Sequence, residues 1–494
     1  MQISAEHVSE REHAPATAAA PAAAAPAQEL QRIFEEQRRA FEQERYPAAA
    51  VRLDRLERLR RIVQTHEDQF AAAISADFGN RSHHETAIAE VFFVLAGIAH
   101  ARKHLAHWMK RRRVGTSFHS LPGASSILPQ PVGVAGVVSP WNYPLQLALA
   151  PAVAALAAGN RVMIKPSETT PRYSELLARS IASAFAPDEC AVITGDADAG
   201  RAFVRLPFDH LFFTGSTAVG RQVALAAAAN LTPVTLELGG KSPVIVDDSC
   251  DLLDSARKIA VGKLFNAGQT CIAPDYALVP HDRMQSFAQA YSQAVSELYP
   301  TLERNPDYTS IVNERHYARL QGLAADARRG GARVIEINPG GEPEQPQSRK
   351  LRPALLLDVT SEMAVMREEI FGPLLPLVGY ETLTHAIGFV NARPRPLALY
   401  WFGRDRRHCD QVLRETIAGG VTVNDVLLHI AQENLPFGGV GDSGIGAYHG
   451  EYGFRLFSKQ KPIFEQSRLA GTALLRPPYG ALAASVVRTL KRMV

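Results

Sequence analysis

The stretch GVAGVVSPWNYPLQLALAPAVAALAAGNRVMIKPSE, residues 133–168, contains two short β-type runs separated by a helical one. GVAGVVS is the first predicted strand, a helix is predicted from Tyr143, and RVMIK is the second strand. Strand, helix and strand in this order form the crossover unit of a parallel sheet. The sequence therefore predicts an α/β fold at this point of the chain.

The alternation continues beyond residue 168. A helix is predicted after Thr170, CAVITG and HLFFTG are two further strands, and an alanine-rich helix follows. Such a sheet binds ligands at the carboxyl ends of its strands. A second α/β region is predicted from about Val234, which places the boundary near residues 232–236. Its predicted strands are TLEL, PVIV, DYALVP, VIEI, the segment from Ala354 to Leu357, and PLVGY.

Length and composition limit the class of protein. The chain has 494 residues, which is too long for one core and predicts two or three domains. Hydrophobic residues make up 46% and charged residues 21%, as in globular proteins. The net charge of +3, from 53 basic and 50 acidic residues, gives no reason to expect nucleic acid as a partner. No apolar run of 18 residues predicts a membrane-spanning helix.

The four cysteines, Cys190, Cys250, Cys271 and Cys409, show neither close pairing nor the spacing of metal ligands. This argues against a disulfide scaffold and against a bound metal, and it predicts a cytoplasmic protein. Residues 1–28 are rich in alanine and proline and are expected to form a disordered tail rather than a signal peptide.

Three motifs carry side chains suited to catalysis, although each is ambiguous alone. FNAGQTC ends at Cys271, which is either a nucleophilic thiol at a glycine turn or a packing residue. LELGGK places Glu237 at a strand end, as a general base or as an ion-pair partner of Lys241. PWNYP presents the amide of Asn142, which either stabilises an oxyanion or forms a turn.

Four further motifs suit a nucleotide. IKPSE places Lys165 and Glu168 after a parallel strand, where they can bind ribose hydroxyls. FTGSTAVG leads a glycine turn into a helix whose N-terminus can hold a pyrophosphate, although it is not GxGxxG. EEIFGP carries Glu369 and Phe371, and LPFGGVGDSG alone indicates only a glycine-rich loop.

The motifs together resemble the aldehyde dehydrogenase superfamily. PWNYP, KPSE, FTGS, LELGGK, GQTC, EIFGP and PFGG occur in the order of that superfamily, and the resemblance covers residues from about 30 to about 480. GQTCIAPDY, NDVLLH and GAYHGEYGFRLFS are similar to its class 3 branch, which includes fatty and aromatic aldehyde dehydrogenases. Within that branch, ISADFGNRS and TPVTLELGGKSPVIV are similar to the bacterial coniferyl aldehyde dehydrogenases.

This resemblance implies a catalytic mechanism. Cys271 would attack the aldehyde carbonyl, and Asn142 with the Cys271 N–H would hold the oxyanion of the thiohemiacetal. Hydride loss to a nicotinamide would leave an acyl-thioester, and Glu237 would activate the water that hydrolyses it. The implied cofactor-binding residues are Ser139, Trp141, Lys165, Glu168, Gly215, Ser216, Val219, Leu238, Glu369 and Phe371.

The cofactor implied is NAD, with NADP as the alternative. The Glu168 carboxylate should repel a 2′-phosphate, whereas Lys165 could pair with that phosphate. The substrate implied is coniferyl aldehyde, oxidised to ferulate. Three alternatives stay open: a medium-chain or long-chain aliphatic aldehyde as substrate, transfer of the thioester to coenzyme A, and a protein without catalysis. Glu237 argues against the second because related acylating enzymes do not retain this residue.

The resemblance also implies an aldehyde dehydrogenase-like fold, with a parallel-sheet cofactor domain, an α/β catalytic domain and a small bridging element. Class 3 membership implies a homodimer, and the C-terminal segment would form at most a surface amphipathic helix. The expected boundaries are 29–235 for the cofactor domain with a bridging segment near 119–133, 236–430 for the catalytic domain, 431–465 for the return segment and 466–494 for the C-terminal tail.

Overall fold

A computed structural model describes residues 24–469, 472 and 475–493. Residues 1–23 of the predicted tail lie outside the described residues, and the first helix begins at Ala24, inside the predicted tail. The helices are α1 (Ala24–Gln43), α2 (Ala49–Thr65), α3 (Glu67–Phe78), α4 (His83–Thr86), α5 (Phe93–Trp108), α6 (Pro144–Ala158), α7 (Pro171–Ala182), α8 (Ala197–Phe203), α9 (Thr217–Ala228), α10 (Leu252–Leu264), α11 (Met284–Leu298), α12 (Glu314–Arg329), α13 (Ala364–Arg367), α14 (Leu383–Asn391), α15 (Arg406–Glu415), α16 (Gly450–Leu456) and α17 (Ala481–Met493).

The strands make three sheets of six, seven and three strands. They are β1 (Arg112–Val114), β2 (Ala124–Pro131), β3 (Val134–Val138), β4 (Arg161–Lys165), β5 (Cys190–Val192), β6 (His210–Thr214), β7 (Val234–Glu237), β8 (Pro243–Val246), β9 (Tyr276–Pro280), β10 (Arg333–Glu336), β11 (Ala354–Leu357), β12 (Leu374–Tyr380), β13 (Ala398–Phe402), β14 (Gly420–Val423), β15 (Gly444–Ile445) and β16 (Ser458–Glu465).

The six-stranded sheet has the order β15-β7-β6-β3-β4-β5, and its pairs are parallel except for β15 with β7. The four strands predicted within residues 133–215 all lie in it. Helix α6 connects β3 to β4, and nearly all of its side chains are buried because they are leucine, alanine and valine. A parallel α/β sheet with such a crossover confirms the predicted fold class.

One predicted strand belongs to a different sheet from the one expected. TLEL was assigned to the second region, but β7 pairs in parallel with β6 of the first sheet. The chain enters the second sheet only between Glu237 and Pro243, after the boundary expected at residues 232–236. The prediction was wrong here because the local residues favour a strand without specifying its partner, which depends on distant contacts.

The seven-stranded sheet has the order β10-β11-β12-β9-β8-β13-β14. Only the β10–β11 pair is antiparallel, and every strand that was predicted for this region apart from TLEL lies in the sheet. Strands β8, β9 and β13 are entirely buried, as expected for the centre of a parallel sheet covered on both faces.

The third sheet joins two distant parts of the chain. β2 pairs with β1 and with β16, both antiparallel, so the expected bridging element combines residues near 124–131 with residues 458–465. The expected return segment at 431–465 also contributes β15 to the first sheet, which was not predicted. Gly444 makes this possible because its φ is +154° and an added Cβ would lie 2.3 Å from the Leu236 carbonyl oxygen.

Buried side chains hold the carboxyl end of α6. Arg52 donates to the carbonyl oxygens of Ala157 at 3.2 Å and Ala158 at 2.6 Å, and its side chain is buried. These carbonyls have no partner within the helix, so Arg52 satisfies them. A bilayer-crossing helix, long and apolar enough to span, does not occur in the part of the chain that the structure describes.

Candidate active site

Four of the predicted site residues lie at one edge of the six-stranded sheet. Ser139 follows β3, Lys165 ends β4, Gly215 follows β6 and Glu237 ends β7. Because these strands are parallel, their carboxyl ends meet at the same edge. The backbone confirms the proximity, since Ser139 N donates to Lys165 O at 3.1 Å and Gly215 N donates to Glu237 O at 3.0 Å.

This edge carries groups that suit a nucleotide. Ser216 is the N-cap of α9, and its Oγ accepts from Val219 N at 3.4 Å, while the Val219 side chain remains half exposed. The N-terminus of this helix therefore faces the edge with its partial positive charge. The Ser139 hydroxyl is buried without a hydrogen-bond partner among the described residues. Leu238 packs against Gly220 of the helix.

Lys165 and Glu168 occupy different environments. Lys165 is buried, its Nζ donates to Pro166 O at 2.8 Å, and burial lowers the pKa of its ammonium group. Glu168 is exposed, and its negative charge partly offsets this effect on Lys165. The pair therefore presents one buried cation and one solvated carboxylate at the end of β4.

Trp141 and Phe371 meet from the two sheet regions, and Glu369 lies two residues before Phe371. The Trp141 ring lies 5.5 Å from the Phe371 ring and 5.1 Å from the His316 ring. Phe371 has a φ of 52°, a strained conformation for a bulky residue that is typical of functional loops. Burial and the charge of Asp275 raise the pKa of Glu369 to about 8. The structure thus brings Trp141 and Phe371, two of the predicted cofactor residues, into contact.

Asn142 is fixed at the N-terminal end of α6. Its side chain is buried, and Nδ2 donates to the Gln269 carbonyl at 3.1 Å. Its own carbonyl accepts from Asn266 Nδ2 at 3.0 Å. An amide nitrogen has two N–H groups, so one remains for a ligand when the other binds Gln269.

The segment before Cys271 is a constrained turn. Residues 265–268 form a 3-10 turn in which Asn266 and Ala267 have φ of 53° and 50°. Gln269 is fully buried and donates to the carbonyls of Asn266 at 3.0 Å and Ser310 at 3.1 Å. These contacts fix the backbone two residues before Cys271, where the Asn142 amide donates to the Gln269 carbonyl, and they do not use the thiol itself.

The charge of Glu237 acts on the Cys271 thiol. Burial, followed by the negative charges of Glu369 and Glu237, raises the pKa of the Cys271 thiol to about 12. The thiol is half-buried and free. Since the thiolate is the nucleophile, this cysteine needs a base to take its proton at neutral pH.

Glu237 has the properties of such a base. Both of its carboxylate oxygens are buried without a hydrogen-bond partner among the described residues, and burial raises its pKa well above the ordinary value. The Tyr448 hydroxyl is also buried and close enough to feel the charges of Glu237 and Cys271. A desolvated carboxylate whose charge raises the pKa of a nearby thiol is a candidate base for that thiol.

The segment from Arg81 to Glu90 lies outside the catalytic and nucleotide-binding sequence motifs, yet it contacts the PWNYP segment and the turn before Cys271. Arg81 and Glu90 form a buried ion pair of 2.8 Å, and Arg81 Nη1 also donates to the Asn142 carbonyl at 3.0 Å. Glu85 accepts from Asn266 N at 3.0 Å. GNRS and the charged residues after it carry no local signal for burial, because such residues are usually exposed.

The chain resembles known proteins in family, sequence and structure. The family model described as "Aldehyde dehydrogenase family" matches residues 2–463. "Probable coniferyl aldehyde dehydrogenase" of Pseudomonas aeruginosa is 49% identical over 464 residues, covering 94% of this chain and 96% of that protein. "Coniferyl aldehyde dehydrogenase" of Pseudomonas sp. HR199 is 49% identical over 433 residues, covering 87% and 89%.

A class 3 relative and a solved structure agree with these matches. "Aldehyde dehydrogenase family 3 member A2" of Mus musculus is 41% identical over 426 residues, covering 86% of each chain. The substrate-bound state of Staphylococcus aureus AldH superposes with a TM-score of 0.88 at 37% identity, covering 94% of this chain and 99% of that one. The resemblance inferred from the motifs is confirmed.

Proposed function

Because the chain belongs to the aldehyde dehydrogenase family, we propose that it oxidises coniferyl aldehyde to ferulate, with Cys271 as nucleophile, Glu237 as base and Asn142 as oxyanion donor. The observation that carries the assignment of roles is the raised pKa of Cys271 beside a buried, unpartnered Glu237 carboxylate. No other described carboxylate combines these features with a position at the edge of the six-stranded sheet next to the thiol.

Cys271 attacks the carbonyl carbon of the aldehyde as its proton passes to Glu237. The oxygen of the resulting thiohemiacetal gains negative charge, and the free N–H of Asn142 with the Cys271 N–H stabilises it. Removal of one such donor typically costs about 3 kcal/mol in the barrier. Both donors are held in place before substrate arrives, since Asn142 is fixed by Gln269 and Asn266.

Glu237 acts a second time after the thioester has formed and after the proton taken from Cys271 has been released to solvent. Its carboxylate takes a proton from a water molecule, which attacks the thioester and releases the carboxylic acid. The same group then returns the proton to Cys271. Its burial favours these transfers because a carboxylate without hydrogen bonds is a stronger base than a solvated one.

The edge of the six-stranded sheet fits a nicotinamide dinucleotide. We assign the pyrophosphate to Gly215 and Ser216 at the start of α9, with Val219 and Leu238 beside it, and the unpartnered Ser139 hydroxyl nearby. Bound NAD would supply the acceptor for the hydride that leaves the thiohemiacetal. The other assigned residues are Lys165 and Glu168 for the adenosine ribose, Glu369 for the nicotinamide ribose, and Trp141 and Phe371 for packing against the ring.

We propose NAD rather than NADP. The Glu168 carboxylate is exposed at the end of β4, where it would repel a 2′-phosphate. Lys165 is buried and has a lowered pKa, so it is less suited to neutralise that phosphate. Parallel titrations of NAD and NADP by fluorescence quenching would test this preference.

The aromatic substrate is supported by the relatives. The proteins named coniferyl aldehyde dehydrogenases share 49% of their residues with this chain over the aligned stretches.

A comparison of two substrates tests the proposal. Purified protein is given NAD and either coniferyl aldehyde or a ten-carbon aliphatic aldehyde in separate assays, and the acids formed are quantified by chromatography. A higher kcat/KM for coniferyl aldehyde supports the aromatic assignment. A higher value for the aliphatic aldehyde assigns the protein to fatty aldehydes and leaves the roles of Cys271 and Glu237 intact. Thioester transfer to added coenzyme A, rather than to water, would contradict the role of Glu237.

We also propose a homodimer in a reducing, cytoplasmic compartment. Strands β14 and β16 each pair with one neighbour among the described residues and leave one edge open. Val423 on β14 and Phe464 on β16 are exposed, and apolar open edges favour pairing with a second chain. The four cysteines are free, which suits a compartment that preserves the Cys271 thiol.

A further inference from the structure

A buried ion pair lies behind the oxyanion donor. Arg81 Nη1 and Glu90 Oε1 are 2.8 Å apart, and both side chains are 0% exposed. Burying two charges costs desolvation that the pair recovers only when further hydrogen bonds satisfy its atoms. The partners of those hydrogen bonds therefore indicate what the pair is for.

The ion pair contacts the PWNYP segment and the first turn of α6. Arg81 Nη1 donates to the Asn142 carbonyl at 3.0 Å. Glu90 Oε2 accepts from Leu145 N at 2.6 Å and Gln146 N at 3.2 Å. Those two N–H groups have no partner within the helix, and a carboxylate at this end is favoured by the helix dipole. The pair thus holds the backbone on both sides of Tyr143.

The Arg81 side chain is itself held in one position. Its Cζ lies 4.8 Å from the centre of the Tyr143 ring and 5.2 Å from that of Phe78. The guanidinium is planar and lies between these rings, so it cannot rotate away from the Asn142 carbonyl without losing both contacts. Among the described contacts only Nη1 of the guanidinium donates, so a lysine would lose the planar contact with both rings that aims this nitrogen.

A π-helix places Glu90 opposite this segment. Residues Ala87–Phe92 form the π-helix, and α4 precedes it. In a regular α-helix, residues five apart such as Glu85 and Glu90 would point about 140° away from each other. The π-turn changes this angle, and the Arg81 charge acts on both carboxyl groups. Glu85 accepts from Asn266 N in the turn before Cys271 at 3.0 Å.

We propose that Arg81, paired with Glu90, is a positioning residue that aims the Asn142 amide at the reacting oxygen. This inference rests on the proposed role of Asn142. Without Arg81, the Asn142 carbonyl would keep only the hydrogen bond from Asn266, and the peptide could tilt. Such a tilt moves the amide of Asn142 relative to Cys271, and small displacements of a catalytic group are costly to rate.

A double-mutant cycle tests whether Arg81 acts through Asn142. The variants are Arg81→Lys, which keeps the positive charge beside Glu90, Asn142→Ala, and the two combined. Arg81→Lys is expected to lower kcat about tenfold to a hundredfold, with the dissociation constant of NAD changed less than about twofold. In the Asn142→Ala background the same change should lower the remaining rate less than about twofold. Equal losses in both backgrounds would overturn the inference.

Arg52→Lys is the matched control. Arg52 is an equally buried arginine at the other end of the same helix, so its replacement should lower the melting temperature without changing kcat. If Arg81→Lys does not fold, Glu90→Gln replaces it in the cycle and the same non-additivity is expected. If the Asn142→Ala variant turned over at the parent rate, the proposed role of Asn142 would be rejected. If Asn142→Ala lowered kcat but the effects of the two substitutions were additive, only the role of Arg81 would be rejected.

Discussion

At the scale of the residue, Cys271 lies where the thiolate is disfavoured. Its pKa is raised to about 12 by burial and by the charges of Glu369 and Glu237. We therefore expect the rate at which iodoacetamide alkylates Cys271 in the cofactor-free protein to rise about tenfold per pH unit between about pH 7 and about pH 10. The rate should show no plateau near the ordinary thiol pKa of about 8.5. The rate is followed by intact-mass spectrometry.

Cys271→Ala serves as the control for this experiment. Cys250 and Cys409 are half-buried and free, so any slower labelling that persists in the variant belongs to them. The variant should show no oxidation of aldehyde and should bind NAD as the parent does. The part of the labelling that disappears in Cys271→Ala belongs to Cys271. If the rate of that part reached a plateau near pH 8.5, a cation or a hydrogen bond would be stabilising the Cys271 thiolate.

Glu237→Gln separates the two steps assigned to this carboxylate. The amide takes a proton neither from Cys271 nor from water, so the first equivalent of NADH should form more slowly than in the parent and the thioester should then stall, detectable by mass spectrometry. In the parent, kcat should rise as pH increases through the raised pKa of Glu237, because only the deprotonated form is a base. Steady turnover of Glu237→Gln at the parent rate would show that another group is the base.

At the scale of the element, the strand that carries Glu237 depends on β15. Gly444 lies opposite Glu237 in the register, and an added methyl group would meet the Leu236 carbonyl at 2.3 Å. Gly444→Ala should therefore lower the free energy of unfolding by about 1–3 kcal/mol and reduce kcat more than it changes NAD binding. Urea denaturation and steady-state kinetics measure the two effects.

Gly388→Ala is the control variant for this prediction. Gly388 lies inside helix α14 with nothing within 4 Å of an added methyl group. Alanine should stabilise that helix by about 0.5–1 kcal/mol and leave kcat unchanged. If Gly444→Ala behaved like Gly388→Ala, β15 would not support the Glu237 strand.

Elements were predicted where the local pattern sufficed. The runs at β3, β4, β5 and β6 are apolar and bounded by glycine, proline or helix signals, and the structure has strands there. The partner of a strand is not a local property, so β7 was assigned to the wrong sheet and β15 was missed. The two-residue length of β15 is too short for any periodic signal.

The residues of the candidate site were likewise predicted only where a local motif identified them. Cys271, Glu237 and Asn142 were found because their side chains stand in short motifs with glycine or proline beside them. Arg81 and Glu90 were missed since the sequence does not show that a charged pair is buried or that a π-turn precedes α5. Their roles became visible only through contacts between residues about 60 positions apart in the chain.

At the scale of the whole molecule, the open edge of β14 predicts the mode of assembly. Val423 pairs with Trp401 of β13 on one side only. Val423→Lys adds a charge to the open edge and should convert the proposed dimer into a monomer, measured by light scattering coupled to size-exclusion chromatography. Leu253→Lys, at an exposed position on α10, should leave the mass unchanged. A dimer that survives Val423→Lys would exclude this edge as the interface.

The late arrival of β15 has a consequence for how the protein is made. Glu237 leaves the ribosome about 200 residues before Gly444, its partner in the sheet, and at about 5–20 residues per second this delay is roughly 10–40 s. During that time the nascent six-stranded sheet exposes the outer edge of β7, which other unfinished chains can pair with. The six-stranded sheet is therefore completed only after every strand of the seven-stranded sheet has been synthesised, and the stage at which a chaperone would protect this protein is the interval between those two events.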